Sequence, residues 1–173
     1  LSAIPKQFIT VNDKPIIIYT LEAFEKHPNI DAIAVVCIEG WEIILQNYAK
    51  EYNITKLKYI APSGKSGQES IKNGLDELAK FYSREDIVLI HDAIRPMVSS
   101  EIISECINVT REKGNAVVCI PCQEAMLETV DGASAVSAYP RDNLKRTQTP
   151  QGFTLGSILD THKKAKEMGI TNS

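Results

Sequence analysis

The sequence has little of what marks several specialised classes of protein. Its 173 residues include one Trp, only 6% are aromatic, and the formal net charge is -3. So weak a charge argues against a nucleic-acid-binding surface and against an acidic solvating tail. No apolar run approaches the roughly 18 residues of a membrane helix, and no basic-then-apolar signal sequence is present. These absences predict a cytoplasmic protein with no nucleic-acid or membrane partner.

The four cysteines predict no disulfide framework. Cys37, Cys106 and Cys119 each lie in an apolar segment, where cysteine behaves as a small buried hydrophobe. Cys119 and Cys122 form a C-x-x-C, but no second pair or histidine cluster completes a zinc site, and Pro121 does not suit a redox motif at the start of a helix. We therefore expect structural cysteines and name no metal ligands, with a metal or redox role for the pair as the alternative.

The sequence does contain a regular alternation of apolar runs and amphipathic stretches. Ile71, Leu75, Leu78 and Tyr82 recur at helical spacing. The run Ile87–Ile90 predicts a strand buried on both faces. Strands that alternate with helices of about 10 to 15 residues predict βαβ units, so we expect a single α/β domain over residues 1–173 with a doubly wound, mostly parallel, Rossmann-like sheet.

Residues 123–145 interrupt this alternation. A turn at Asp131-Gly132 lies between two short mixed runs, which predicts a protruding β-hairpin arm. Such an arm commonly packs on a neighbouring subunit, and a simple surface insertion is the alternative. A doubly wound domain normally opens with a strand, and none precedes LSAIPKQF. Another strand would follow the last helix, where GITNS stands, so we expect an N-terminal strand and a C-terminal segment to be missing.

A glycine-containing loop, Ser63–Gly67, follows one strand and opens a helix. Glycine permits close backbone approach to a ligand, and a helix N-terminus offers free N–H groups with a positive dipole end. The loop matches neither G-x-x-x-x-G-K-[ST] nor G-x-G-x-x-G. The sequence therefore leaves two interpretations of this segment, a ligand-binding loop and an ordinary polar turn.

Three ionisable side chains follow the strand Ile87–Ile90, within the stretch HDAIR at 91–95. Ligands of α/β sheets bind just past the carboxyl ends of the strands, and buried charges need partners. A local Asp–Arg pair that pins the turn is the alternative, and we expect His91 to orient the turn. Downstream, PRDNLKRTQTPQGF concentrates cationic groups that suit phosphate recognition, namely Arg141, Lys145 and Arg146.

Four motifs occur here in the order and approximate spacing of one family: IPKQF (4–8), GQESIKNGL (67–75), HDAIRP (91–96) and RTQTPQGF (146–153). From Pro5 to its end, the chain resembles the 2-C-methyl-D-erythritol 4-phosphate cytidylyltransferases and the related ribitol-5-phosphate cytidylyltransferases. The resemblance implies a nucleotidyltransferase-type doubly wound domain that forms a homodimer through the hairpin arm.

The implied reaction transfers CMP from CTP to the phosphate of a small polyol and releases pyrophosphate, with Mg²⁺ as the cofactor. Positioning and electrostatics carry such a step, so no protein nucleophile is required. We expect methylerythritol phosphate, for isoprenoid precursor synthesis, ahead of ribitol 5-phosphate, for cell-wall or capsule synthesis. A sugar-1-phosphate nucleotidylyltransferase and a catalytically silent binding or scaffold homologue are the other hypotheses.

The resemblance also implies roles for individual residues. Lys6 would stabilise the transition state, and Arg141 would grip the acceptor phosphate during catalysis. The remaining implied site residues are Ser63, Gly64 and Ser70 at the nucleotide, and Asp92 and Arg95 at the acceptor. The family's Gly-rich triphosphate loop and its late N-I-K lysine have no match in this sequence. The arm also departs from the family, with Ala125 and Leu127 in place of a threonine and a lysine, and Gly67 stands where an arginine is common.

Overall fold

A computed structural model describes residues 4–170 of the chain. Its strands are β1 (Thr10–Val11), β2 (Lys14–Pro15), β3 (Ile33–Cys37), β4 (Leu57–Pro62), β5 (Ile87–Ile90), β6 (Asn115–Pro121), β7 (Met126–Thr129), β8 (Ala135–Tyr139) and β9 (Lys145–Thr154). Its α-helices are α1 (Ile16–Glu25), α2 (Glu42–Glu51), α3 (Gly67–Leu78), α4 (Ser100–Lys113) and α5 (Leu155–Glu167). None of these helices is long and apolar enough to cross a membrane.

Strand β5 lies between two layers of helices. Ile87 and Leu89 pack into a core with residues of α1 and α4. Val88 and Ile90 point the other way and pack with residues of α3 and α5. Successive side chains of a strand alternate between faces, so an all-aliphatic strand needs apolar cover on both. The described part of the chain is therefore a three-layer α/β arrangement, which agrees with the predicted fold class.

The strand pairing differs from the predicted mostly parallel sheet. Strand β3 runs parallel to β4, but β9 lies between β5 and β6 and is antiparallel to both. The cationic segment 140–153 predicts phosphate recognition and carries no strand prediction, although most of it lies on β9. The polar side chains and Pro150 give this segment a low intrinsic strand propensity. It forms a strand because it pairs with β5 and β6, and β-propensity depends strongly on such context.

An open channel separates β3 from β5. Among the described residues, β3 pairs only with β4 and β5 only with β9. The space between them forms a cavity of about 860 Å³, lined by residues of both strands. The side chains of β5 are consequently half-buried, not fully buried as predicted. Each strand turns an unpaired backbone edge toward the channel.

The segment predicted as an arm contains the antiparallel pair β7–β8. The Asp131 carboxylate closes the connecting turn by accepting from the amides of Ala133 and Ser134 at 2.9 and 2.7 Å. The hydrogen bond from the Ser134 hydroxyl, followed by these two amide contacts, holds the pKa of Asp131 well below its usual range. All side chains of β7 and β8 are exposed.

The cysteines divide into two groups. Cys37 and Cys106 are buried, as predicted, and burial raises the pKa of each thiol. The prediction for Cys119 is wrong, because this residue is exposed. It lies on β6, which pairs with β9 and forms the edge of its sheet among residues 4–170. Val117 and Cys119 are both exposed, so this face of β6 is not covered by another element of the described chain.

Candidate active site

The channel continues past the carboxyl end of β5. Ser70 of α3 and Asp92, which follows β5, both line it. One of these residues was predicted at the nucleotide and the other at the acceptor. The fold therefore brings two of the predicted site residues to a single cavity, at the sheet edge where α/β proteins bind ligands.

The loop after β4 is held by backbone and side-chain contacts. The Ser63 amide donates to the Cys37 carbonyl at 3.0 Å, which ties the loop to β3. The Gly64 amide donates to the Ser70 hydroxyl at 2.9 Å. A Cβ at Gly64 would lie 2.8 Å from the Glu69 backbone carbon, so the loop can approach the helix this closely only with glycine.

The start of α3 is capped from within the same loop. The Ser66 hydroxyl accepts a hydrogen bond from the Glu69 amide at 3.1 Å, and the Glu69 carboxylate accepts one from the Lys65 amide at 2.7 Å. These two contacts satisfy amides at the helix start and fix the loop geometry. Ser63 and Gly64 of the loop are thus held in a fixed position beside Ser70 of the first turn of α3.

The loop after β5 contains an ion pair. Arg95 Nε donates to Asp92 Oδ2 at 2.6 Å, and the two side chains are 44% and 52% exposed. The Arg95 amide also donates to the Asp92 carbonyl at 3.0 Å. The ion pair therefore stabilises the turn, which is the structural role that the sequence analysis gives as the alternative to ligand binding. It is nonetheless exposed enough to meet a ligand.

His91 supports this turn as a neutral ring. Its Nε2 lies 3.0 Å from the Arg95 carbonyl oxygen, and a carbonyl only accepts, so Nε2 carries the proton. Nδ1 is buried and has no hydrogen-bond partner within residues 4–170. Burial lowers the pKa of the His91 imidazole. The geometry fits the predicted orienting role.

Lys6 does not line the cavity, but its turn packs against the same core as the loop after β5. It lies in a single 3-10 turn, Lys6–Phe8, with an exposed side chain. Phe8 is buried and stacks on Trp41 with ring centroids 4.6 Å apart. Ala93, in the loop after β5, packs against the same core cluster as Phe8. The Thr20 hydroxyl also donates to the Ala93 carbonyl at 2.8 Å.

Arg141 is not brought to this cavity. It lies in the exposed 3-10 turn Arg141–Asn143, between β8 and β9. No hydrogen bond or ion pair in the described chain joins it to Asp92 or Arg95. At the base of the arm, Arg146 Nη1 instead pairs with Glu124 Oε1 at 2.9 Å, next to the positions that depart from the family.

Gln148 contacts a predicted site residue but is not itself among the predicted site residues. Its Oε1 accepts a hydrogen bond from Arg95 Nη1 at 2.6 Å. Its place in RTQTPQGF, one of the motifs that carry the resemblance, is the sequence feature that could have indicated it. A contact between positions 53 residues apart cannot be read from either segment alone.

Helices on both faces of a sheet, with a largely aliphatic cavity that has Ser70, His91 and Asp92 at its strand-end side, are typical of an α/β protein of the nucleotide-binding type. The family model described as "IspD: 2-C-methyl-D-erythritol 4-phosphate cytidylyltransferase" matches residues 2–173. The chain belongs to this family.

Curated relatives include enzymes with two different acceptors in their names. A ribitol-5-phosphate cytidylyltransferase from Vibrio parahaemolyticus serotype O3:K6 (strain RIMD 2210633) is 41% identical over 164 residues, covering 94% of this chain and 68% of that protein. A 2-C-methyl-D-erythritol 4-phosphate cytidylyltransferase from Clostridium botulinum (strain Okra / Type B1) is 37% identical over 166 residues, covering 96% and 71%.

Solved structures agree on the fold. The 2-C-methyl-D-erythritol 4-phosphate cytidylyltransferase (IspD) of Francisella tularensis superposes with a TM-score of 0.80 at 26% identity, covering 96% of this chain and 74% of that one. The 4-diphosphocytidyl-2C-methyl-D-erythritol synthase of Anaerococcus prevotii DSM 20548 superposes with a TM-score of 0.84, covering 98% and 72%. At 22% identity the latter is evidence for the fold alone.

Proposed function

We propose that this protein is a CTP-dependent cytidylyltransferase that transfers CMP to a small polyol phosphate and releases pyrophosphate. One observation carries the proposal: Ser70 and Asp92 line the same cavity. Ser63 and Gly64 of the loop after β4, together with Ser70 of α3, would bind the nucleotide at one side. Asp92 and Arg95 would bind the acceptor at the other, so both substrates meet at the end of β5.

Charge neutralisation would supply most of the catalysis. An acceptor phosphate oxygen forms a bond to the α-phosphorus of CTP while the bond to pyrophosphate breaks, and negative charge accumulates around that phosphorus. Lys6 would stabilise this charge, since its side chain is exposed and its turn shares a core cluster with the loop after β5. Fixed cations are effective because they need no reorganisation during the reaction.

A homodimer through the arm would place Arg141 at the reaction. The arm exposes apolar side chains to solvent, including Leu127 at 62%, Val130 at 86% and Val136 at 60%. Exposed apolar surface of this kind favours contact with another protein surface. Because Arg141 makes no contact with Asp92 or Arg95 in the described chain, we place it at the acceptor site of a second copy.

We assign Mg²⁺ to the CTP substrate and not to a protein cage. Within residues 4–170 there is no group of three or more His, Cys, Asp or Glu side chains that could hold a metal ion, and Asp92 is engaged by Arg95. Mg²⁺ commonly binds through substrate phosphates with few protein ligands. When bound in this way it would neutralise part of the triphosphate charge. A cytoplasmic location stays a prediction.

Two acceptors are supported by different observations. The relatives described above favour ribitol 5-phosphate, at 41% identity against 37%. The family model carries the name of 2-C-methyl-D-erythritol 4-phosphate. Ala125 and Leu127 depart from the family as a whole, so they favour neither acceptor. Because the higher identity is to the ribitol-5-phosphate enzyme, we propose ribitol 5-phosphate first and methylerythritol phosphate second, which reverses the order expected from the sequence.

We also propose that a further strand fills the channel between β3 and β5, from residues that precede Leu1 in a longer protein. The channel is bordered by two unpaired backbone edges and by aliphatic side chains. Unpaired edges and exposed apolar surface are unfavourable in water, and one strand would cover both. A strand parallel to β3 and β5 would end beside Ser70 and Asp92.

The test is an acceptor panel. Full-length protein is incubated with CTP and Mg²⁺ and with each polyol phosphate in turn, while pyrophosphate release is followed. We expect release with ribitol 5-phosphate, and a smaller value of kcat/KM with methylerythritol phosphate. CTP binding without release for either acceptor would instead favour the silent homologue.

A further inference from the structure

The Arg95 guanidinium is held at two points by groups from different parts of the fold. Asp92 accepts from Nε at 2.6 Å within the same loop. Gln148 accepts from Nη1, also at 2.6 Å, from β9. The second contact is a hydrogen bond between a charged donor and a neutral amide oxygen, stronger than one between two neutral groups.

Strand register brings Gln148 to this place. Strand β9 runs antiparallel to β5, and Ile90 pairs with Gln151. Continuing that register beyond the end of β5 sets Thr149 opposite Asp92, where the Asp92 amide donates to the Thr149 hydroxyl at 3.3 Å. Gln148 is the next residue along, so it lies beside the loop that carries Arg95.

The Gln148 amide is itself fixed. Its Nε2 donates to the Thr147 carbonyl at 2.8 Å, which leaves Oε1 directed at Arg95. The Gln148 carbonyl accepts from Gln151 Nε2 at 3.4 Å. The side chain is half-buried. An amide with both ends paired presents its oxygen in one direction, so it can define the direction of the guanidinium.

We propose that Gln148 is a positioning residue that sets the orientation of Arg95 for the acceptor phosphate. This inference rests on the proposed function, in which Arg95 meets the acceptor. With Nε held by Asp92 and one N–H of Nη1 held by Gln148, the remaining N–H groups of Arg95 are available as donors. A planar guanidinium fixed in this way matches phosphate oxygens at a low entropic cost.

The first test is Gln148→Met, which keeps the length of the side chain and removes the hydrogen-bond acceptor for Arg95. We expect the KM of the acceptor to rise about tenfold, with the KM of CTP and the melting temperature nearly unchanged. The matched control is Gln46→Met at an exposed position of α2, a helix that contributes no contact to Arg95 or Gln148 among the described residues. An equal rise in that variant, or a rise confined to the KM of CTP, would overturn the proposal.

A double-mutant cycle separates positioning from direct contact. In the Arg95→Ala background, Gln148→Met should have no further effect on acceptor binding, because its partner is gone. If the two effects multiply, Gln148 acts on the acceptor by itself and the proposal is wrong.

A readout without turnover distinguishes this proposal from the proposed function. The Arg95 side-chain N–H signals are followed by NMR in the wild-type protein and in Gln148→Met. We expect the variant to show faster solvent exchange and freer rotation of the guanidinium. Unchanged signals would overturn the positioning role. Loss of order without transferase activity in either protein would refute the proposed function and leave the positioning contact standing.

Discussion

The Gly64 amide donates a hydrogen bond to the Ser70 hydroxyl at 2.9 Å. The loop after β4 is thereby tied to the first turn of α3, and Ser70 lines the cavity that also contains Asp92. The loop geometry and the cavity wall therefore depend on one hydroxyl group.

Ser70→Ala should weaken CTP binding. The Gly64 amide would lose its partner, and a lost neutral hydrogen bond costs about 1 kcal/mol, or roughly fivefold in affinity. We expect the KM of CTP to rise by that factor while the KM of the acceptor stays constant. The control is Ser157→Ala on α5, where the hydroxyl donates to the Thr154 carbonyl at 2.9 Å away from the channel. An unchanged KM for CTP would remove Ser70 from the nucleotide site.

Gly152→Ala should destabilise the fold. A Cβ at Gly152 would overlap the Thr110 hydroxyl and lie 3.2 Å from Cys106 Sγ. Thr110 is only 1% exposed, so it cannot move away into solvent. Overpacking of this kind costs about 1–3 kcal/mol, measured as the free energy of unfolding in urea.

Two variants test the cause of that loss. Gly67→Ala has no heavy atom within 4 Å of the new Cβ and should leave stability unchanged or increase it by up to about 1 kcal/mol. Adding Thr110→Ala to Gly152→Ala should recover part of the loss, because the overlapping hydroxyl is removed. Strictly additive losses would show that the overlap is not the cause.

His91 should make the protein less stable in acid. Burial lowers its pKa below the ordinary value of 6.5, so the unfolded chain binds a proton more readily than the folded one. The stabilisation is present above pH 6.5 and is lost as the pH falls through the folded-state pKa. We expect His91→Gln to lose less unfolding free energy than the wild type between pH 7 and pH 5.

His162 provides the comparison for this experiment. Its pKa is also lowered by burial, but its ring is less deeply buried than that of His91. His162→Gln should therefore change the pH dependence of the unfolding free energy less than His91→Gln does. A wild-type pH dependence in His91→Gln would contradict a neutral, buried His91.

The channel should be closed in a longer protein. Amide hydrogen exchange is compared between residues 1–173 alone and a protein that includes the preceding residues. We expect Ile33–Cys37 and Ile87–Ile90 to exchange more slowly in the longer protein, because a strand between them would bond their free edges. Equal exchange in both would mean that the channel stays open.

Much of the fold follows from local sequence patterns. Ile71, Leu75 and Leu78 of the predicted helical stripe lie on α3, whereas Tyr82 lies in the turn beyond its end, and the aliphatic run Ile87–Ile90 forms β5. These predictions succeeded because periodicity reports which faces of an element meet a core. The position of HDAIR at a strand end followed from the same reasoning.

Contacts between distant segments were not predictable in this way. Strand β9 is polar and contains Pro150, so its pairing with β5 and β6 is decided by its neighbours and not by its own propensity. The contact of Gln148 with Arg95 depends on that pairing. The separation of Arg141 from Asp92 likewise depends on where the arm leaves the domain.

The measurement that tests the central claim most directly is ³¹P NMR of the reaction of full-length protein with CTP, Mg²⁺ and ribitol 5-phosphate. We predict a new diphosphate that links cytidine to ribitol, together with an equal amount of pyrophosphate. Lys6→Ala, folded normally, should form neither product. If the wild-type protein binds CTP and yet forms no such diphosphate with ribitol 5-phosphate or with methylerythritol phosphate, the account is contradicted.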